Sequence, residues 1–142
     1  MDKKELKEKI AEVLAPIPYV SFAYLFGSQA TGTARVLSDV DIAVFFDQTA
    51  DNKGGTYGPE CELIPDLERV LGRPVDLAVL NRASNLLCFQ VLKKGELLFC
   101  RSEEARIRFH EAIVRTYLDF LPFRTVQNEY LKKRIFEGTF GR

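Results

Sequence analysis

The sequence has no tryptophan and very little methionine or histidine, with one Met and one His among its 142 residues. Its three cysteines, Cys61, Cys88 and Cys100, are widely spaced and form no C-x-x-C pair. A single histidine and scattered cysteines do not provide the ligand spacing of a zinc site. We therefore expect no zinc, and mostly buried, reduced thiols of the kind found in the cytoplasm.

The chain also lacks net charge and long apolar runs. Twenty Lys and Arg residues balance twenty Asp and Glu residues, which argues against nucleic-acid binding through overall positive charge. No stretch reaches the length of about eighteen apolar residues that a membrane span needs. The charged start at residues 1–5 does not resemble a signal peptide. We expect a cytoplasmic protein with no membrane partner and no direct nucleic-acid partner.

What the sequence does contain is the composition of one globular domain. Hydrophobic residues make up 46% and charged residues 28% of the chain, which is typical of soluble domains of this length. No repeat, low-complexity segment or interior linker interrupts it. We predict a single domain over residues 1–142, with a catalytic core over about 18–100 and a C-terminal helical segment over about 102–138.

Helical and strand patterns alternate along the chain. Apolar residues at helical spacing predict the helices, and runs of β-branched and aromatic residues predict the strands. The predicted helices cover 3–14, 59–71, 84–94 and a long stretch from 103 that breaks near Pro122; the predicted strands cover 20–26, 40–46, 74–80 and 97–100. This order predicts an α/β (α+β) fold with a small mixed β-sheet flanked by helices and a C-terminal helical tail.

The most informative motif is a Gly-Ser pair followed by two aspartates. Gly27 and Ser28 end one predicted strand, and Asp39 and Asp41 open the next. Glycine lets the backbone approach phosphate closely, and nearby amides and the hydroxyl can donate to phosphate oxygens. The two acids share one face of a strand, about 6.6 Å apart, so they can bind one hard cation or bracket two. Taken alone, the Gly-Ser pair could also be an ordinary turn, and the two aspartates could be solvent-exposed acids with no metal.

Asp76 is a third candidate acid, in a strand that is otherwise apolar and that we expect to be interior. A buried carboxylate needs a charged partner, a metal or several hydrogen bonds; the alternative is an acid at a strand end that reaches solvent. The three elements meet only if the first two strands are antiparallel and the second and third are parallel. A loop plus a helix separates the second and third strands, as a parallel crossover requires.

In these residues the chain resembles the nucleotidyltransferase superfamily with the DNA polymerase β-like fold. The signature of that superfamily is Gly-Ser, about ten residues, and then Asp-x-Asp; its matches here are Gly27, Ser28, Asp39 and Asp41, with Asp76 as the third carboxylate. The compact size and the segment 89–99, followed by a helical tail, are similar to minimal nucleotidyltransferases, the MNT-type antitoxins encoded beside HEPN toxins. Many relatives have Ala-Arg-Gly where this chain has residues 30–32 as Ala-Thr-Gly. The basic group that supports the phosphates is therefore open, with Arg35 as a candidate.

The resemblance implies a function and a role for each site residue. Gly27 and Ser28 would bind the ATP phosphates, and Asp39, Asp41 and Asp76 would be the catalytic acids and bind Mg2+. The chain would be an antitoxin and a Mg-dependent protein adenylyltransferase that moves AMP from ATP to a tyrosine of a cognate HEPN ribonuclease toxin. The alternatives are a binding antitoxin that needs no catalysis, and a nucleotidyltransferase acting on a small molecule such as an aminoglycoside.

Overall fold

The computed structural model describes residues 2–27, 39–47 and 58–120. In these ranges the helices are α1 (Lys3–Leu14), α2 (Glu60–Leu71), α3 (Asn85–Lys94) and α4 (Glu103–Phe120), and the strands are β1 (Val20–Phe26), β2 (Val40–Phe46), β3 (Val75–Val79) and β4 (Glu96–Cys100). Every bound predicted for these helices and strands lies within one residue of the observed bound. The predicted break at Pro122 and the helical tail beyond it lie outside the described residues.

Local sequence signals set the helix ends. Three helices begin at a side-chain cap, in which an oxygen of Asp2, Ser84 or Ser102 accepts a backbone N–H three residues further on. Helix α2 ends at Gly72, whose φ of 69° is left-handed, the conformation that glycine adopts most readily at a helix end. No described helix has the combination of length and apolar composition that crossing a bilayer requires.

The sheet has the strand order β3-β2-β1-β4. Strand β1 is antiparallel to both β2 and β4, and β2 is parallel to β3. Both strand directions that the predicted site requires are therefore confirmed. The expectation that the strand of Asp76 is interior was wrong, because β3 is an edge strand and Asp76 is exposed. Its apolar residues pack under helices, while its outer edge pairs with no described strand.

The core forms two layers, one on each face of the sheet. On one face, α1 and α2 pack against β1 and β2, with buried residues that include Leu6, Ile10, Leu63, Leu67, Ile42 and Val44. On the other face, α3 and α4 pack against the same strands through residues that include Phe22, Ala43, Cys88, Phe89 and Ile113. Phe109 and Tyr117 are partly buried and pack against this second layer. Because successive strand residues alternate between faces, Asp41 lies on the same face as Ala43, the face against which α3 and α4 pack.

Arg101 ties the end of α1 to the sheet. Its guanidinium donates to the carbonyl oxygens of Val20 at 3.1 Å, Ala15 at 2.7 Å and Ile17 at 3.1 Å. It also lies over the ring of Phe99, 5.0 Å from the centroid. The last carbonyls of a helix have no partner within the helix, so Arg101 supplies donors at the place where α1 leads into β1.

The three cysteines are free thiols, as predicted. Cys88 is buried, Cys100 is half-buried and Cys61 is exposed. The expectation of buried thiols was therefore wrong for Cys61, which lies in the first turn of α2 on its solvent side.

Candidate active site

The register of the sheet brings the predicted glycine turn and the predicted acids together. Asp41 is paired with Phe26 of β1 on one side and with Asp76 of β3 on the other. Gly27 follows Phe26 directly, and Asp39 precedes Asp41 by two residues. These four residues, Gly27, Asp39, Asp41 and Asp76, define what we call the carboxylate end of the sheet. Ser28 lies outside the described residues, so its role stays a prediction.

The side chains of Asp41 and Asp76 lie on the same face of the sheet, because directly paired residues of neighbouring strands share a face. Asp41 is half-buried, whereas Asp39 and Asp76 are exposed. A ligand can therefore reach the cluster from solvent, and Asp76 can also be reached from the edge of the sheet. The sequence did not predict that, within the described residues, β3 lies at the edge of the sheet.

Gly27 is required at its position for two independent reasons. Its φ of 70° is left-handed, a conformation that costs a residue with a side chain about 1–2 kcal/mol. A Cβ at this position would also lie 3.0 Å from Cγ and 3.2 Å from Cβ of Asp41, and would overlap its carboxylate. The glycine therefore allows the turn and leaves room for the Asp41 side chain.

The three acids interact electrostatically. Burial raises the pKa of Asp41, and the neighbouring charges of Asp76 and Asp39, together with a hydrogen bond to Asp76, raise it further. Like charges this close disfavour ionisation. A bound cation would remove the repulsion, so the cluster as folded favours a positively charged ligand.

The donor set suits magnesium that arrives with a nucleotide better than a cage made of protein alone. Among residues 2–27, 39–47 and 58–120, no three His, Cys, Asp or Glu side chains are arranged to hold a metal by themselves. Magnesium usually takes one or two carboxylates and completes its shell with substrate phosphate and water. The carboxylates of Asp41 and Asp76, on directly paired residues, fit that pattern, and the charge of Asp39 also acts on Asp41.

Sequence reasoning missed the contribution of Gly95, the residue between α3 and β4. Its backbone is extended, and its N–H donates to the carbonyl oxygen of Val91 at 2.7 Å. A Cβ here would lie 2.5 Å from that oxygen and 3.1 Å from the carbonyl oxygen of Leu25. A glycine is therefore needed beside the end of β1 because a side chain would not fit there, and not because the backbone conformation excludes one. In the sequence, a glycine after a helix indicates only a helix end.

Comparison with known proteins gives one family. The family model described as "Polymerase beta, Nucleotidyltransferase" matches residues 8–104. This segment runs from α1 into α4 and contains every predicted site residue.

Similar proteins include one sequence relative and two solved structures. The chain is 39% identical over 94 residues to the protein adenylyltransferase MntA of Shewanella oneidensis; the match covers 66% of this chain and 64% of that protein. A toxin–antitoxin structure with AMP-PNP has a TM-score of 0.67 and 30% identity, and covers 92% of this chain and 98% of that one. A tri-AMPylated Shewanella oneidensis HEPN toxin in complex with MNT antitoxin gives a TM-score of 0.64, 27% identity, and coverage of 94% and 98%. The predicted polymerase β-like fold is confirmed.

Proposed function

The chain belongs to the polymerase beta nucleotidyltransferase family, and we propose that it is an antitoxin that transfers AMP from ATP to a tyrosine of a HEPN ribonuclease toxin. The observation that carries this proposal is the pairing of Asp41 with both Phe26 and Asp76, which joins the glycine turn to the three acids. Similarity to MntA and to a complex that contains an AMPylated HEPN toxin supports the choice of acceptor.

Each residue of the carboxylate end has a role in this reaction. Gly27 and Ser28 bind the β- and γ-phosphates through backbone N–H groups and the serine hydroxyl. Asp39, Asp41 and Asp76 would hold Mg2+ together with the phosphates of the nucleotide. When bound, Mg2+ neutralises phosphate charge and lowers the barrier to displacement of the leaving group. Positioning and charge stabilisation by these groups provide most of the acceleration.

The transfer step is an in-line displacement at the α-phosphorus of ATP. The tyrosine oxygen forms a bond to that phosphorus while the bond to the bridging oxygen of the β-phosphate breaks, and pyrophosphate leaves. The carboxylate of Asp76 accepts the hydroxyl proton. Since Asp76 is exposed on an edge strand, a tyrosine carried by another protein can reach it without entering a deep pocket.

The substrate and the thiols support a cytoplasmic location. ATP is the substrate, and all three cysteines of the chain are free thiols, which persist in a reducing environment. We therefore place the reaction in the cytoplasm.

The proposal is tested by following the adenylyl group. The chain is mixed with its HEPN partner, MgCl2 and ATP labelled at the α-phosphate, and label on the partner is measured. We expect transfer by the unmodified chain and none by the Asp39→Asn, Asp41→Asn double variant. An unlabelled partner, under conditions in which the chain binds ATP, would contradict the proposal.

The same variant separates catalysis from binding. If the chain neutralised its partner by contact alone, the double variant would still protect cells from the toxin while transferring no label. If the acceptor were a small molecule such as an aminoglycoside, label would appear on that compound and not on the partner.

A further inference from the structure

We propose that Lys94, the last residue of α3, is the cationic side chain that binds the triphosphate of the nucleotide at the carboxylate end. This role rests on the proposed function, because the ligand is taken to be the nucleoside triphosphate of that reaction. A triphosphate carries about four negative charges at neutral pH, and here it approaches three carboxylates. Protein cations beside the metal are therefore needed to hold it.

The path of α3 takes its C-terminus to the carboxylate end. Near its start, at the opposite end of the sheet, the Sγ of Cys88 lies 3.7 Å from the carbonyl oxygen of Leu80, which directly follows β3. At its finish, the chain turns against β1, where Glu96 pairs with Leu25. Leu25 precedes Gly27 by two residues. The helix therefore crosses the sheet diagonally from β3 to β1 and ends beside the glycine turn.

Helical geometry distinguishes Lys94 from its neighbour Lys93. Phe89 stacks on Tyr117 of α4, with ring centroids 3.7 Å apart, so the direction of Phe89 marks the side of α3 that faces α4. Residues of a helix advance by about 100° each, which puts Lys93 about 40° from Phe89 and Lys94 about 140° from it. Lys93 therefore leans towards α4, and Lys94 lies on the flank away from α4.

The flank away from α4 is the one that faces the acids. Helix α4 covers the other part of this face, where Phe109 packs on Phe22 and Phe45 with centroid distances of 5.6 Å and 5.1 Å. Asp41 lies four residues before Phe45 on β2. The diagonal path of α3 therefore separates Asp41 from the region of Phe22 and Phe45 that α4 covers. Lys94 and Asp41 are therefore on the same side of α3.

The charge of Lys94 is available to an anion. Its side chain is exposed and, within the part of the chain that the structure describes, makes no ion pair or hydrogen bond. By contrast, Lys3 and Lys7, at the same end of the sheet, both pair with Glu96. Lys93 and Lys94 in the last turn also offset part of the negative charge at the C-terminus of α3.

Gly95 fixes the position of Lys94. Because Gly95 has no side chain, the turn after α3 can pack directly against the Leu25 carbonyl oxygen, which would lie 3.1 Å from a Cβ at this position. The backbone of Lys94 is thereby held next to Leu25 near the end of β1, two residues before Gly27.

The test is to measure affinity for three ligands: ATP with MgCl2, inorganic triphosphate with MgCl2, and AMP. We expect Lys94→Ala to weaken binding of ATP and of inorganic triphosphate about tenfold, the loss of one charge-assisted hydrogen bond, and to leave AMP within about twofold. Lys94→Arg, which keeps the charge, should restore most of the affinity. Lys93→Ala is the matched control, because it removes an adjacent exposed lysine from the other flank, and it should stay within about twofold throughout.

Three results would overturn the role of Lys94: ATP affinity unchanged in Lys94→Ala, equal losses in the two alanine variants, or an AMP loss as large as the ATP loss. If the unmodified chain labels its partner while Lys94→Ala binds ATP normally, only the lysine assignment fails. If the unmodified chain binds neither ATP nor inorganic triphosphate, the proposed function and the lysine role are both wrong.

Discussion

Asp41 and Asp76 are direct partners across the parallel strands β2 and β3, with their side chains on the same face of the sheet. Burial of Asp41 raises its pKa, and the charge and hydrogen bond of Asp76 raise it further. Without a bound cation, the negative charges of the acids in the site therefore repel one another. Active sites commonly sacrifice stability for function in this way.

Replacing Asp41 with Asn should stabilise the metal-free protein while abolishing transfer. The pKa of Asp41 is above its ordinary value of 3.8 in the folded protein, so ionising it opposes folding. The stability associated with its neutral form is complete below the unfolded pKa and is lost as the pH rises through the folded pKa. At pH 7 we expect Asp41→Asn to raise the free energy of unfolding, because the amide carries no charge for Asp39 and Asp76 to repel.

Urea unfolding of both proteins at several pH values tests this expectation. The advantage of the Asn variant should shrink as the pH falls, because the Asp41 carboxyl of the unmodified protein becomes neutral. A variant that is less stable at pH 7, or an advantage that grows in acid, would show that the repulsion at Asp41 is unimportant.

Magnesium alone should stabilise the unmodified protein. A cation relieves the repulsion among the three acids, and a ligand at ten times its dissociation constant adds about 1.4 kcal/mol to stability. We expect the midpoint of thermal unfolding to rise with MgCl2 and to rise much less in Asp41→Asn. Potassium chloride of equal ionic strength is the control, and an equal rise with both salts would indicate general screening.

Gly27→Ala should nearly abolish transfer of AMP. A side chain at Gly27 both strains the backbone and overlaps Asp41, and Gly72→Ala is the control that separates these two effects. Both glycines have left-handed backbones, with φ of 70° and 69°, so alanine is strained at each by about 1–2 kcal/mol. A Cβ at Gly72 meets nothing within 4 Å, whereas one at Gly27 overlaps the Asp41 carboxylate.

Transfer rates and unfolding free energies of both alanine variants give the comparison. Gly72→Ala should lose stability and keep its transfer rate. Gly27→Ala should lose more stability and at least about a hundredfold in rate, as expected when reacting groups are displaced by about 1 Å. Similar rates in the two variants would mean that Gly27 is only a turn residue.

Arg101→Ala should destabilise the fold without changing the chemistry. It removes the donors to three carbonyl oxygens between α1 and β1, for an expected loss of about 2 kcal/mol. Arg108→Ala removes an exposed arginine that pairs within its own helix with Glu104, and should lose less than about 0.5 kcal/mol. Chemical denaturation checks both, and equal losses would contradict the bridging role of Arg101.

The fold could be predicted closely because its determinants are local. Caps at Ser84 and Ser102, and the stop at Gly72, set element ends from a few neighbouring residues. The crossover between β2 and β3 was long enough to imply a parallel pair, and that pair brought Asp76 beside Asp41.

What could not be predicted depends on contacts between distant parts of the chain. The edge position of β3, and hence the exposure of Asp76, follows from β4 joining the sheet beside β1 rather than beside β3. Arg101 binds carbonyl groups more than eighty residues earlier in the chain. Gly95 is needed because Leu25 lies close to it in the fold. The residues next to Gly95 in the sequence do not indicate that contact.

The most direct measurement is the intact mass of the HEPN partner purified from cells that also express this chain. With the unmodified chain, the partner should carry one or more added AMP groups. With the Asp39→Asn, Asp41→Asn double variant expressed at the same level, it should have its unmodified mass. A partner of unmodified mass in both cases, or one modified equally in both, would contradict the assignment of adenylyl transfer to the carboxylate end.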